Sequence, residues 1–382
     1  MTQAGHLLPT LTTTTASSGG WWPRALGAGV ALAIGGCNPL DPLDTNFDAV
    51  EDAVMYEAEV LKPAPTDVGE LLVMTWNIKF AGARIRFFFE CGGERSLMSR
   101  QEVLRNLEGL AAKVVQAQPD VLFLQEVDVA SKRCAYVDEV QWLLDHTHLN
   151  YGAYASQWKA DYVPSDGIGR IDSGNAVLSR WPIEDAERLA LALSAEESTL
   201  TRYFYLKRNI LRTRIPLPGA RPVWAVTIHT EAFSEDRIRR EHIRTLEGVL
   251  DEVSAAGNQF VAGGDFNTVP PGSARVKDFP DDCADGRFES DDYTGEETSM
   301  DGLYVSYPEA IPLSDYRADN EPYFTFTGDA DVGWNRRLDY LFTNRDFVPD
   351  SGLVHQSVAR GGMETLSLSD HAPVSAVMTV QR

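Results

Sequence analysis

The sequence predicts an α/β domain over residues 70–382. Three observations carry that prediction. Short apolar runs of strand length recur through the region. Apolar residues at helical spacing lie between them. Several of the runs end in an ionisable or amide side chain rather than in an ordinary turn residue.

The elements follow in order. Leu71-Leu72-Val73-Met74-Thr75-Trp76-Asn77 reads as a buried strand ending in a polar amide. Val103, Leu104, Leu107, Leu110, Ala111, Val114 and Val115 recur at helical spacing, and Pro119 closes that region. Val121-Leu122-Phe123-Leu124 is a second buried strand, running into Gln125-Glu126. Ala176-Val177-Leu178 follows Gly174-Asn175 as a third, and residues 209–215 alternate like a half-exposed strand. Residues 223–228 form a strand that ends in His229. Ile238, His242, Leu246, Val249, Leu250 and Val253 mark one face of a helix. Phe260-Val261-Ala262-Gly263-Gly264 leads into Asp265-Phe266-Asn267. Leu338-Asp339-Tyr340-Leu341-Phe342 is a late strand, and Ser369-Asp370-His371-Ala372-Pro373 precedes the last, at 374–380.

Burying an unpaired carboxylate or imidazole is costly, so strand ends of this kind need a shared use. Strand ends are also where α/β proteins bind ligands. Carboxylates converging on one place repel one another unless a cation lies among them, and hard oxygen donors favour Mg2+ or Mn2+, with Ca2+ a weaker fit.

Taken together, these segments resemble the endonuclease/exonuclease/phosphatase superfamily, the deoxyribonuclease-I-like fold. The matching stretches are Thr75-Trp76-Asn77, Leu124-Gln125-Glu126-Val127, Gly174-Asn175-Ala176-Val177-Leu178-Ser179-Arg180, Thr227-Ile228-His229, Gly264-Asp265-Phe266-Asn267, Arg337-Leu338-Asp339-Tyr340 and Ser369-Asp370-His371-Ala372-Pro373-Val374. Each is weak alone; seven in the family's order are not. The resemblance implies a four-layer sandwich of two mixed β-sheets flanked by helices. It also implies a metal-dependent phosphoesterase that attacks its substrate with an activated water.

The resemblance assigns roles residue by residue. Glu126 and Asn77 are the implied metal ligands, with Asp370 supporting a second metal position or the first. Asp265 and Asn267 orient or deprotonate the attacking water and hold a phosphate oxygen. His229 and His371 contact the scissile phosphate from two sides, and Asp339 pairs with His371. Arg208 is taken as the phosphate-contacting arginine in preference to Arg202 and Lys207. The catalytic tyrosine of some nuclease branches has only Tyr203 and Tyr205 as weak candidates. The implied substrate is a nucleic acid or a phospholipid head group, a phosphodiester in preference to a monoester. Three further readings stay open: a nuclease specifically, a sphingomyelinase-like or inositol-phosphate phosphatase-like enzyme, and a non-catalytic surface-binding lipoprotein on the same fold. A serine hydrolase is excluded, since no Gly-x-Ser-x-Gly elbow occurs and consecutive Ser369, Asp370 and His371 cannot form a relay.

The N-terminus reads as an export signal over residues 1–36. Arg24 precedes an apolar run at 25–34 that is too short to span a bilayer, and Ile34-Gly35-Gly36-Cys37 resembles a bacterial lipobox. That resemblance implies cleavage before Cys37 and acylation of its thiol, giving a cell-envelope lipoprotein. The alternative is an ordinary cleaved signal, with a secreted or periplasmic product. Residues 37–69 read as a tether with a short helix near 49–60. A net charge of −22 argues against nonspecific coating of nucleic acid and against electrostatic membrane binding, so any anchoring falls to lipid. A monomer is expected.

The four cysteines show no zinc spacing. In an exported chain, Cys91 and Cys134, each in a loop leaving one of the first two strands, are expected to form a disulfide. Arg84-Ile85-Arg86-Phe87-Phe88-Phe89 reads as an edge strand, with base stacking or lipid contact as alternatives. Arg237, Arg239, Arg240 and Arg244 read as a solvated helix face balanced by Glu235, Asp236 and Glu241. Residues 280–301, with nine acidic side chains and one arginine, read as a solvated insertion.

Overall fold

The structure, a computed structural model, describes residues 47–163, 165–193, 206–232, 237–283 and 291–382. The export segment, Cys37, Arg202, Tyr203, Tyr205, Glu235 and Asp236 lie outside these residues.

Thirteen strands build two sheets among the described residues. In chain order they are β1 (Val50–Asp52), β2 (Val54–Glu57), β3 (Glu70–Asn77), β4 (Val121–Asp128), β5 (Tyr151–Val163), β6 (Gly169–Ser179), β7 (Asp185–Ala190), β8 (Asn209–Ile215), β9 (Val223–His229), β10 (Gln259–Asp265), β11 (Asp339–Thr343), β12 (Leu353–Val354) and β13 (Val374–Thr379). One sheet has the order β1-β7-β8-β9-β10-β11, the other β12-β13-β3-β4-β6-β5-β2. Both are mixed: β9 runs parallel to β10 and β3 parallel to β4, and the other pairs are antiparallel.

Strand alternation sorts the side chains into layers. Leu71, Val73, Val121, Phe123, Ala225, Val261, Leu341 and Val374 form the core between the sheets. Their opposite-facing neighbours Met74, Trp76, Leu122 and Leu124 meet helices α1 (Arg100–Ala117) and α2 (Glu139–His146). Phe260, Ala262, Tyr340 and Phe342 meet helix α3 (Ile238–Ala255) on the far side. These are the four expected layers. Helix α1 starts at a Ser99/Glu102 capping box and buries Val103, Leu107, Leu110, Ala111 and Val114, while Val115 is exposed.

Several expectations are corrected. Residues 50–57 form no helix. They split into two short strands, one added to the edge strand β7 and the other to β5, so the folded part begins before residue 70. Three or four residues with exposed Val50, Val54 and Met55 carry too little pattern to read as strands without their partners.

The disulfide joins Cys91 to Cys283, with Cα atoms 5.5 Å apart. Cys134 is instead a free thiol in the core against α2, its Sγ donating to Ser131 O at 3.2 Å. The loop after β3 thus turns away from Cys134 and toward the acidic insertion.

The phenylalanine run is a loop with one bridge, Phe87 to Arg95, and not an edge strand. Phe87 is buried and Phe89 exposed. Nor is the acidic segment merely solvated: Arg336 binds Asp281 at 2.8 Å and Asp291 at 2.5 Å, and buried Arg239 of α3 binds Glu296 at 2.7 Å.

Candidate active site

The site follows from strand phase. Asn77 lies four residues after Val73 on β3, Gln125 two after Phe123 on β4, and His229 four after Ala225 on β9. Asp265 lies four after Val261 on β10, and Asp339 two before Leu341 on β11. An even offset keeps each on the face that packs between the sheets. At one end of the sandwich that apolar face turns polar.

Two local distortions tune it. The pairing of β4 with β6 shifts register between Leu124 and Val127, and Glu126 there has φ 55°. A bulge of this kind re-aims a side chain, and here it brings Glu126 to Asn77. Gly264, at φ 149°, leaves no room for a side chain: a Cβ would lie 1.9 Å from Ile228 O. Glycine there lets β10 pack tightly on β9 just before Asp265.

Asn77 Nδ2 donates to Glu126 Oε1 at 3.2 Å and to Asp265 Oδ2 at 3.0 Å. Asp265 Oδ2 also lies 3.3 Å from His229 Nε2 and 3.5 Å from His371 Nε2. Asp265 Oδ1 accepts from the Asn267 backbone N–H at 2.9 Å, and Asn267 Nδ2 donates to Thr230 O at 3.2 Å. His371 Nδ1 donates to Asp339 Oδ2 at 2.8 Å. Trp76 Nε1 donates to His371 O at 2.9 Å, tying β3 to the segment before β13.

The electrostatics separate these groups. Burial pushes the Asp265 carboxyl up to about 7; the His371 charge opposes the rise and Asp339 adds to it. Burial works against charge on His371, but Asp339 and Asp265 overcome it and push its pKa up to about 10. His229 goes the other way, held well below 6.5 by burial and by the charges of Arg208 and His371.

The structure therefore brings Asn77, Glu126, His229, Asp265, Asn267, Asp339 and His371 together. Asp370 is placed differently. Its Oδ2 lies 3.5 Å from Lys79 Nζ, which also pairs with Glu90. Burial opposes charge on Asp370, yet Lys79, His371 and Arg84 hold it below the usual carboxylate range. Its observed partner is a fixed lysine cation. Arg208 is buried near His229, with Nε 3.7 Å from Glu231 Oε2 and, among the described residues, no hydrogen bond from Nε or Nη1.

Sequence reasoning missed Lys79, Ser369 and Gln157. Ser369 Oγ donates to Asn77 O at 2.7 Å and accepts from His371 N at 3.1 Å. Gln157 meets His229 Nδ1 at 3.4 Å. Only Ser369, inside a matched motif, carried a signal. A cleft of about 330 Å3 opens beside the site, lined by Asp370, Phe326, Arg336 and the Cys91–Cys283 bridge. Phe326 stands edge-on to the His371 ring at 4.7 Å.

The sequence model of the Endonuclease/Exonuclease/phosphatase family matches residues 74–371, from within β3 to His371. The chain belongs to that family. Its members are phosphoesterases, hydrolases that include nucleases and phosphatases. Among solved structures, an endonuclease/exonuclease/phosphatase from Beutenbergia cavernae is similar at 20% identity and a TM-score of 0.54, over 82% of this chain and 72% of that one. A family protein from Leptotrichia buccalis aligns at 16% identity and a TM-score of 0.50, over 82% and 100%. The human Nocturnin catalytic domain, solved with a bound sulfate, aligns at 17% and 0.49, over 86% and 98%. The first two likenesses agree with the four-layer fold. No curated protein matched the sequence.

Proposed function

We propose that this protein is a divalent-metal-dependent phosphodiesterase, exported and anchored at a membrane surface through an acylated Cys37. The observation that carries the catalytic part is the Asn77 amide held between Glu126 and buried Asp265, beside the Asp339–His371 pair.

The residues present fit a hard cation. Asp265 is buried at a cost its raised pKa records, and a cation nearby would relieve that cost. Glu126 supplies a carboxylate oxygen of the kind Mg2+ prefers, with Mn2+ as substitute, and Asn77, whose Nδ2 donates to Glu126 and Asp265 while its Oδ1 accepts from Lys79 N at 3.0 Å, would hold the two carboxylates beside the ion. Asp339 and His371 also lie close to Asp265, within 4.8 Å. Their mutual hydrogen bond commits their facing atoms to each other, so we read them as a proton-handling pair. With Lys79 already beside it, Asp370 serves to orient the Ser369–His371 turn rather than to hold a metal. When bound, the cation supplies Lewis-acid polarisation of a phosphate oxygen.

The chain's own groups do the rest. Asp265, kept deprotonated beside the cation, accepts a proton from the attacking water, and Asn267 helps hold it in place. His371, cationic against Asp339, faces the phosphate and protonates the departing oxygen. His229 and buried Arg208 offer donors to the non-bridging oxygens from the other side. The anchor rests on the Ile34-Gly35-Gly36-Cys37 motif, and the acidic net charge leaves attachment to lipid chains. No helix among the described residues is long and apolar enough to cross a membrane.

A substrate panel tests the reading. The form starting at Asn38 is assayed with DNA, RNA, sphingomyelin, inositol phosphates and a simple phosphomonoester. Turnover of a phosphodiester that stops in chelator and returns with Mg2+ supports it. Cleavage of monoesters alone overturns it.

A further inference from the structure

The two histidines approach Asp265 Oδ2 through the same ring atom, Nε2, but their far nitrogens meet opposite chemistry. His371 Nδ1 faces a carboxylate, Asp339, at 2.8 Å; His229 Nδ1 faces an amide nitrogen, Gln157 Nε2, at 3.4 Å. A carboxylate only accepts, so it requires Nδ1–H and favours the imidazolium. An amide N–H only donates, so it requires a bare lone pair on Nδ1 and leaves the ring's one proton on Nε2.

Gln157 is built into its place. It is 1% exposed and sits where the pairing of β5 with β6 shifts register, between Ser156 and Trp158. Its backbone carbonyl accepts from Lys207 N at 2.6 Å, which ties it to the segment leading through Arg208 into β8. Its Oε1 has no hydrogen-bond partner among the described residues.

We propose that Gln157 is a positioning residue whose amide N–H holds His229 in the neutral Nε2–H tautomer, so that His229 donates a hydrogen bond into the reaction centre and does not become the imidazolium. The groups facing His229 are Gln157 from β5, Arg208 before β8, His242 from α3, Asp265 from β10 and His371 before β13, with Glu231 after β9 placed against Arg208 and His242. Burial, then Arg208, His371 and His242, oppose a charge on the ring, in agreement with the geometry. The consequence is a division of labour: one charged histidine and one neutral donor on either side of Asp265. The value of that division for turnover rests on the phosphodiesterase reading; the tautomer does not.

The test is long-range proton–nitrogen NMR of the full chain labelled at its histidines, with Gln157→Glu and Gln157→Met beside the wild type. The wild-type His229 signals are expected to show a neutral ring protonated at Nε2 throughout the neutral range. Gln157→Glu is expected to convert His229 to a ring protonated at Nδ1 and to add an ionisation to the pH profile of kcat/KM with bis-nitrophenyl phosphate. Gln157→Met is expected to lower kcat more than tenfold. A wild-type His229 protonated at Nδ1, as a flipped amide would require, overturns the proposal, and so does a Gln157→Glu protein with an unchanged spectrum. If no phosphate ester is turned over, the proposed function fails and the wild-type spectrum still decides the role of Gln157, with no variant needing to fold.

Discussion

Asn77 of β3 and Asp265 of β10 belong to different sheets, and a 3.0 Å hydrogen bond joins them across the end of the sandwich. Because the same Asn77 amide nitrogen also binds Glu126, the seam between the sheets doubles as the site. Replacing Asn77 by Ala leaves two carboxylates without their shared donor. The expected result is a fall in kcat of roughly 10²-fold or more with little change in far-ultraviolet circular dichroism. Turnover within threefold of wild type would detach Asn77 from the mechanism.

His371→Ala and Asp265→Asn are each expected to lower kcat by about two to three orders of magnitude. Both residues sit at strand ends beyond the apolar core, so the thermal midpoint should move only a few degrees. Steady-state kinetics and calorimetry on the same preparations check the two halves together.

The contributions of Asp265 and His371 to stability should fall as pH rises in the metal-free protein, against the opposite trend from His229, which burial holds below 6.5. Asp265 titrates near 7 when folded against 3.8 as its ordinary value, and His371 near 10 against 6.5. In both cases the folded state holds its proton more tightly. The stabilisation is therefore complete below the unfolded value and lost as pH passes the folded one. For Asp265 the window runs from about 3.8 to 7, and for His371 from about 6.5 to 10. Calorimetry across these windows should show wild type losing stability relative to Asp265→Asn in the lower window and relative to Asp339→Asn in the upper one, and Mg2+ should shrink the lower difference by favouring the deprotonated carboxylate. Differences that grow in the other direction with pH contradict this assignment.

The Cys91–Cys283 bridge closes a loop of 192 residues. Its removal by Cys283→Ser is expected to cost on the order of 5 kcal/mol in the chain-entropy account. In the form starting at Asn38, no thiol should react with an alkylating reagent while folded, because Cys134 is buried. One should react after denaturation without reductant. Two or more would mean the bridge is open.

Cys37→Ser is expected to move the protein out of the membrane fraction. Its persistence there would remove the anchor, leaving the site untouched.

What the sequence by itself determined is the set of short-range patterns with one reading. Short apolar runs located β3, β4, β9, β10, β11 and β13, alternation located β8, and helical spacing located α1 and α3, because a buried strand or helix face must be apolar wherever the element lies. The motifs at the strand ends marked Asn77, Glu126, His229, Asp265, Asn267, Asp339 and His371 through their family resemblance. Only the tertiary structure decided what depends on distant partners. The strands at 50–57 exist because sheet edges were waiting for them, and three residues cannot announce an edge. Cys91 found Cys283 rather than Cys134 because loop direction, not position after a strand, sets which thiols meet. Asp370 met Lys79, and His229 Nδ1 met the neutral Gln157 amide where His371 Nδ1 met the Asp339 carboxylate. A side chain's charge state follows from its neighbours in space, and those neighbours come from elements that the chain order leaves far apart.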